Sequence, residues 1–219
     1  LIKVMQGLYR TGVNEIRFIF NKSEVLQELH NIIDAYLIGY EIVEQKKDYV
    51  IIKNITKESE ESFSTVLRRI FLLMLELSES EDKIHAQSIH KSIKRLINYC
   101  QRILVKRGYH EYVKTPLYYL LLDRLEKISD EFKWIYLLDL DKQEQRQIKE
   151  MSGIFRHIYE IFYKFEAEQY DIYQYKTYEL KNMLKANKKI TMVQMHLHNL
   201  ARLLNSLCGD IFVLKFRSA

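Results

Sequence analysis

Glycine and proline are scarce along this chain, which contains six glycines and one proline in 219 residues. Average usage would give about 15 glycines and about 11 prolines in a chain of this length. The deficit excludes collagen-like, proline-rich and linker-dominated chains, and it disfavours an all-β sandwich, which needs turn residues every 8–12 positions or so. Hydrophobic residues make up 47% and charged residues 29%, enough for a buried core under a charged surface. We therefore expect a mainly α-helical fold.

The first 58 residues are patterned differently from the rest of the chain. Helical spacing of apolar residues alternates there with short runs of β-branched and aromatic residues. The predicted elements are a helix over 1–10, a strand over 15–20, a helix from the N-cap Ser23 to residue 37, and a hairpin of strands at 40–44 and 49–55. The order α-β-α-β-β predicts a small α/β N-terminal unit over residues 1–58.

From residue 59 onward the periodicity is helical throughout. The acidic run at 58–62 suits the first turn of a helix because it complements the helix dipole. Further helices are predicted from 83 to 107, from an N-cap at Thr115 with Pro116 in the first turn, and over 143–165, 168–187 and 190–215. Leu125 and Leu200 occupy matching places in the third helix of each half. We therefore predict a six-helix bundle of two tandem three-helix repeats, over residues 59–140 and 141–219.

Three carboxylates share one face of the third helix of the first repeat. Asp123, Glu126 and Asp130 have the spacing i, i+3, i+7, and their face lies opposite the apolar stripe. Oxygen ligands on one face suit a divalent or iron-type cation such as Mg²⁺, Mn²⁺ or iron. The alternative is a solvated acidic face, stabilised by Arg124, Lys127 and Lys133.

The predicted helix over 83–107 is basic and lacks acidic residues. We expect its cations to contact an acidic partner, phosphate or nucleic acid, or alternatively to form a solvated face that pairs with neighbouring carboxylates. The candidate partner-binding residues are Lys91, Lys94, Arg95, Arg102, Lys106 and Arg107. Base readout is not indicated, because neither a helix-turn-helix nor an aromatic stacking platform is recognisable.

Catalysis has no sequence signature here. Phosphate loops, dinucleotide fingerprints and nucleophile elbows are lacking, and we expect no enzymatic activity. His196 and His198 lie roughly 200° apart on a helix, so they cannot share one zinc-binding face. Cys100 and Cys208 are the two cysteines, without a CxxC motif, which indicates a reducing, cytoplasmic setting. No run of 18 uncharged apolar residues occurs, so we expect no membrane insertion.

The segment Leu125-Glu126-Lys127-Ile128-Ser129-Asp130 resembles the signature of the PhoU family, the phosphate uptake regulators. Further stretches similar to the archaeal branch of that family are 38–45, 67–73, 99–109 and 114–116. The resemblance implies a bundle of two PhoU-like repeats that can hold metal on its surface, with Glu126 and Asp130 on the matching motif. Asp123 is a further candidate ligand from spacing alone. A shift of 75 residues puts His198, Ala201 and Asn205 at the equivalent places in the second repeat, where alanine cannot bind metal, so a second full cluster is not expected.

The same resemblance implies a function in phosphate homeostasis. The chain would regulate phosphate transport and signalling as a metal-binding sensor or adaptor, in contact with phosphate transporter or sensor-kinase components, and would form a homodimer. Archaeal relatives commonly carry an AbrB/MazE-like DNA-binding domain before the α/β unit. The abrupt start at Leu1 fits removal or loss of that domain, so we expect DNA binding and transcription regulation only through an upstream domain that is absent from this chain. The alternative function is a helical scaffold without metal that binds an acidic partner or nucleic acid through the basic 83–110 helix.

Overall fold

The structure of the chain is a computed structural model that describes residues 1–22, 24–57, 60–80, 82–186 and 191–216. About three quarters of it is helical: the described residues form eight α-helices together with a small three-stranded antiparallel sheet. The expected mainly α-helical class is confirmed. The predicted N-cap Ser23, residues 58–59 of the predicted acidic turn and the 58/59 segment boundary lie outside the described residues.

The N-terminal elements follow the predicted order α-β-α-β-β. They are α1 (Ile2–Arg10), β1 (Glu15–Ile19), α2 (Glu24–Tyr36), β2 (Tyr40–Gln45) and β3 (Tyr49–Asn54). The strands lie in the order β1-β3-β2, and both pairs are antiparallel. Gly39 makes the turn into β2 with a φ of +82°, a conformation that residues with a side chain rarely adopt.

One face of this sheet carries the N-terminal core. Alternation along the strands buries Ile16 of β1 and both Val50 and Ile52 of β3. These side chains belong to the same core cluster as residues of α1 and α2, among them Met5 and Leu29. The buried face of the sheet, formed by every second residue of a strand, therefore packs against the buried faces of two helices, as expected for a small fold of one sheet layer and one helix layer.

Six long helices follow, joined by short connections. They are α3 (Glu60–Ser78), α4 (Lys83–Arg107), α5 (Thr115–Tyr136), α6 (Lys142–Tyr163), α7 (Ala167–Ala186) and α8 (Met192–Lys215), with a 3₁₀ turn at Tyr112–Lys114 before α5. Gly108 has a φ of +74° and follows α4, as the sequence predicts. The predicted cap Thr115 is itself the first residue of α5, and its hydroxyl accepts a hydrogen bond of 2.8 Å from the Tyr109 N–H.

The chain divides into two compact units. The first comprises Leu1–Ile70 and Lys91–Thr115, and the second comprises Phe71–His90 and Pro116–Ala219. Both α3 and α4 therefore contribute residues to each unit. The three-segment division at residues 58/59 and 140/141 stays a prediction.

The second unit has its own helical core. Helices α6, α7 and α8 pack against one another. The ring of Phe71 from α3 stacks on Phe155 and contacts Phe162, both on α6. Among the helices described, none combines the length and the apolar character needed to span a bilayer.

Candidate functional site

Helix α5 presents the predicted carboxylate row at its half-exposed side. Leu121, Leu125, Ile128 and Phe132 of α5 are fully buried. Asp123, Glu126 and Asp130 fall between these positions and keep partial exposure, so the spacing argument places them correctly with respect to the core.

Asp123 and Asp130 have cationic or histidine partners from the chain itself. The Nζ atom of Lys127 lies 2.7 Å from Oδ2 of Asp123, one turn along the same helix. Oδ1 of Asp130 lies 2.7 Å from Nε2 of His90 on α4 and 3.8 Å from Nζ of Lys133. The backbone carbonyl of Glu126 accepts a hydrogen bond of 2.7 Å from the Ser129 hydroxyl.

The family resemblance implies a metal ion at this row, and the side chains as placed do not fit a metal cluster. Within the described ranges no three His, Cys, Asp or Glu side chains come together in a way that could hold a metal ion. A cation would have to displace Lys127 from Asp123 and His90 from Asp130. Lys127 and Lys133 contact the acidic face as the alternative expects, whereas Arg124 does not: its Nε atom lies 3.2 Å from Oδ2 of Asp210 on α8.

Two histidines cross-link α5 to other helices of the second unit. His90 of α4 contacts Asp130, and Nδ1 of His196 on α8 lies 2.7 Å from Oε2 of the adjacent Glu131. Neither pairing was predicted from the sequence, where His196 was considered only as a zinc ligand. The available signal was the position of His90 on the buried stripe of α4 between Ala86 and Ile93, because a polar side chain there needs a hydrogen-bond partner.

The equivalent positions of α8 carry no carboxylate row. His198 is exposed and Ala201 is buried. The Oδ1 atom of Asn205 lies 3.3 Å from the Thr177 hydroxyl of α7, so this side chain joins two helices of the second unit.

Most of the predicted partner-binding cations of α4 lie at the surface. Lys91, Arg95, Lys106 and Arg107 are exposed, and Lys94 is half-buried. Lys106 donates a hydrogen bond of 2.9 Å to Oδ1 of Asn14.

The prediction that Arg102 belongs to this partner-binding set is wrong. Its side chain is fully buried in the first unit. The guanidinium donates to the carbonyls of Tyr9 and Val13 at 2.8 and 2.7 Å, and to Oδ1 of Asn14 at 2.8 Å. It also lies over the rings of Tyr9 and Tyr40, at 4.9 and 5.3 Å from their centroids. Arg102 therefore joins α4 to the N-terminal elements and has no surface left for a partner.

Both cysteines are buried and free, so they form no disulfide. Burial raises the pKa of the Cys208 thiol to about 12, and it raises the pKa of Cys100 further. Because the thiolate is the reactive form, neither side chain is a nucleophile at neutral pH.

Comparison with known proteins identifies no relative: no family model matches the chain, and neither does any curated protein or solved structure. The resemblance to the PhoU family rests on the sequence segments given above.

Proposed function

We propose that this chain is a PhoU-like regulator of phosphate uptake and phosphate signalling that acts through protein–protein contacts. The observation that carries the proposal is the placement of the PhoU-like segment 125–130. It lies in the middle of α5, with Leu125 and Ile128 in the core and Glu126 and Asp130 at the half-exposed side.

The order of the long helices supports the same proposal. Three helices of 19, 25 and 22 residues are followed by three of 22, 20 and 24 residues. The last three pack against one another as a group. Two tandem three-helix repeats after a small α/β segment is the organisation that the resemblance implies for an archaeal-type PhoU protein, and a homodimer is part of the same proposal.

Binding of metal by Asp123, Glu126 and Asp130 is the less supported part of this proposal. Side chains of the chain itself hold Asp123 and Asp130, and a regulator that acts by contact alone does not need the metal. We therefore separate the two parts experimentally.

The regulatory part is tested by deleting the gene in its host and measuring phosphate uptake and the expression of phosphate-transport genes in phosphate-rich medium. We expect both to rise in the deletion strain and to return to normal when the wild-type gene is restored. Unchanged uptake and expression would contradict the proposal.

The metal part is tested by mass spectrometry of metals bound to the purified wild type and to Glu126→Gln/Asp130→Asn, after dialysis against Mn²⁺ or Fe²⁺ separately. These substitutions keep the shape of both side chains and remove only the charged ligands. Glu168→Gln/Asp171→Asn on α7 is the matched control for charge. Equal metal content in all three proteins would remove the metal from the proposal and leave the contact-based regulator.

A scaffold that binds an acidic partner or nucleic acid through α4 is the second candidate. The exposure of Lys91 and Arg95, which have no ion-pair partner among the described residues, favours it. The burial of Arg102 reduces the surface that it could use. The triple variant Lys91→Glu/Lys94→Glu/Arg95→Glu would lose its acidic partner if this function is correct.

A further inference from the structure

The second unit contains an open cleft of about 1000 Å³. It lies where α3 and α5 end and where α4 and α6 begin, and all its lining residues belong to that unit. Its apolar wall includes Leu138, Leu140 and Ile148, and its rim on α6 includes Lys149 and Gly153. The volume reaches the upper end of the range of ligand sites, and the cleft is open to solvent along α6.

The charges around the cleft are unequally compensated. Glu79 pairs with Arg156, and Oδ1 of Asp139 lies 3.2 Å from Nζ of Lys83. Lys149 has no carboxylate within ion-pair distance among the residues that the structure describes. The carboxylates lining the cleft are thus neutralised, and a positive charge remains on its rim.

Two more cations extend this positive rim along α6. Lys142, Arg146 and Lys149 have the spacing i, i+4, i+7, which places them in one row on the exposed side of the helix. Within the described part of the chain, Lys142 and Arg146 are also without an ion-pair partner. Glu144 does not offset them, because its carboxylate is turned back to the N–H of Asp141 in a capping box.

Gly153 continues the same row one turn beyond Lys149. A glycine within an exposed helix is unfavourable relative to alanine, and Gly153 does not adopt the positive φ that would require it. A Cβ atom built on Gly153 would have no heavy atom within 4 Å. Among the residues that the structure describes, none therefore lies in contact with this position, and another backbone can approach α6 closely there.

We infer that the cleft and the α6 row Lys142-Arg146-Lys149-Gly153 dock an acidic, amphipathic helical segment of a partner protein. Acidic side chains of the segment pair with the row, its apolar side chains enter the cleft against Leu138, Leu140 and Ile148, and its backbone crosses α6 at Gly153. The inference rests on the proposed function in one respect, that the chain acts through protein contacts, and it names the surface that makes them.

The test uses the full chain and two fluorescent helical peptides, one with a leucine row flanked by glutamates and one with lysines in place of the glutamates. Fluorescence anisotropy is expected to show binding of the acidic peptide, weakened by salt, and no binding of the basic one. Lys149→Glu should weaken binding about tenfold or more, whereas Lys176→Glu at an exposed position of α7 should leave it unchanged. Equal effects of the two variants, or no preference for the acidic peptide, would overturn the inference.

Gly153→Ala separates docking from folding. Alanine improves the helix, so the melting temperature should rise while affinity for the acidic peptide falls about fivefold or more, because the methyl group blocks the close approach. Gly209→Ala on α8 is the matched control: its Cβ also meets nothing within 4 Å, so it should raise the melting temperature and leave binding intact. Unchanged affinity of Gly153→Ala would overturn the close approach at this position.

Single-stranded DNA serves as the competing class of ligand. If DNA displaces the acidic peptide and Gly153→Ala binds DNA as well as the wild type does, the α6 row is a general polyanion surface. That result would overturn the protein-docking inference. The outcomes remain separable from the gene-deletion test: normal phosphate regulation in the deletion strain refutes the proposed function, whereas loss of peptide binding alone refutes only this surface.

Discussion

The Nε2 atom of His90 lies 2.7 Å from the Oδ1 atom of Asp130, which joins α4 to α5 through a side chain that is 9% exposed and one that is 35% exposed. An ionised carboxylate only accepts hydrogen bonds, so the imidazole N–H donates. The residue expected to bind metal is thus already used to connect two helices. A substitution at Asp130 will consequently alter stability whether or not metal binds.

His90→Ala is expected to lower the free energy of unfolding by about 1–3 kcal/mol, because it removes the imidazole contact to Asp130 and opens a gap in the α4 stripe. Urea denaturation of His90→Ala, Asp130→Ala and the double variant measures the coupling between the two side chains. We expect a coupling of about 1 kcal/mol. Additive effects of the two single substitutions would contradict the link.

Arg102→Met is expected to destabilise the chain by about 3 kcal/mol or more. The substitution keeps the volume of the side-chain stem but removes the guanidinium donors to the carbonyls of Tyr9 and Val13 and to Asn14. Arg95→Met, an exposed position on the same helix, should change stability by less than about 0.5 kcal/mol. Comparable losses for the two variants would show that the guanidinium contacts contribute little.

Gly39→Ala is expected to destabilise the chain by about 1–2 kcal/mol. A Cβ atom at Gly39 would lie 2.0 Å from Oγ1 of Thr56, and the φ of +82° is unfavourable for alanine. Gly7 within α1 has nothing within 4 Å of a Cβ, so Gly7→Ala should stabilise by about 0.5–1 kcal/mol. Thermal unfolding of the two variants is expected to shift in opposite directions.

The buried thiol of Cys208 is expected to make stability fall at alkaline pH. Burial raises its pKa to about 12, above the value of about 8.5 for an unfolded thiol, so the folded state retains its proton longer. Its contribution is fully present below about pH 8.5 and is lost as the pH rises toward 12. Cys208→Ser should flatten this part of the stability–pH curve, and labelling with a thiol reagent at pH 8 should proceed only as the chain unfolds.

The elements of this fold are readable from the sequence because their signals are local. Period-two alternation marks β1 and β3, period-3.6 spacing marks the helices, and Gly39 and Gly108 mark turns with positive φ. The helix boundaries differ from the predicted ones by a residue or two where one residue serves both the helix and the loop before it. Thr115 is such a residue: it begins α5, and its hydroxyl accepts a hydrogen bond from Tyr109 of the preceding loop.

The environment of the charged residues could not be predicted in the same way. By its position, Arg102 falls on the same face of α4 as the exposed residues Lys91 and Arg95. Its burial depends on the carbonyl groups of Tyr9 and Val13, some 90 positions earlier in the chain. His90 likewise finds its partner 40 residues away. A single sequence records the spacing of charges along a helix but not which neighbouring segment covers them.

The separation of 93 positions between Tyr9 and Arg102 also imposes an order of events during synthesis. When the strands β1, β2 and β3 leave the ribosome, the guanidinium that bonds the carbonyls of Tyr9 and Val13 has not yet been made. The first unit can close only after α4 has emerged. A shortened chain that stops before α4 would therefore lack the guanidinium hydrogen bonds to Tyr9, Val13 and Asn14, and we expect proteases to degrade it faster than the complete chain.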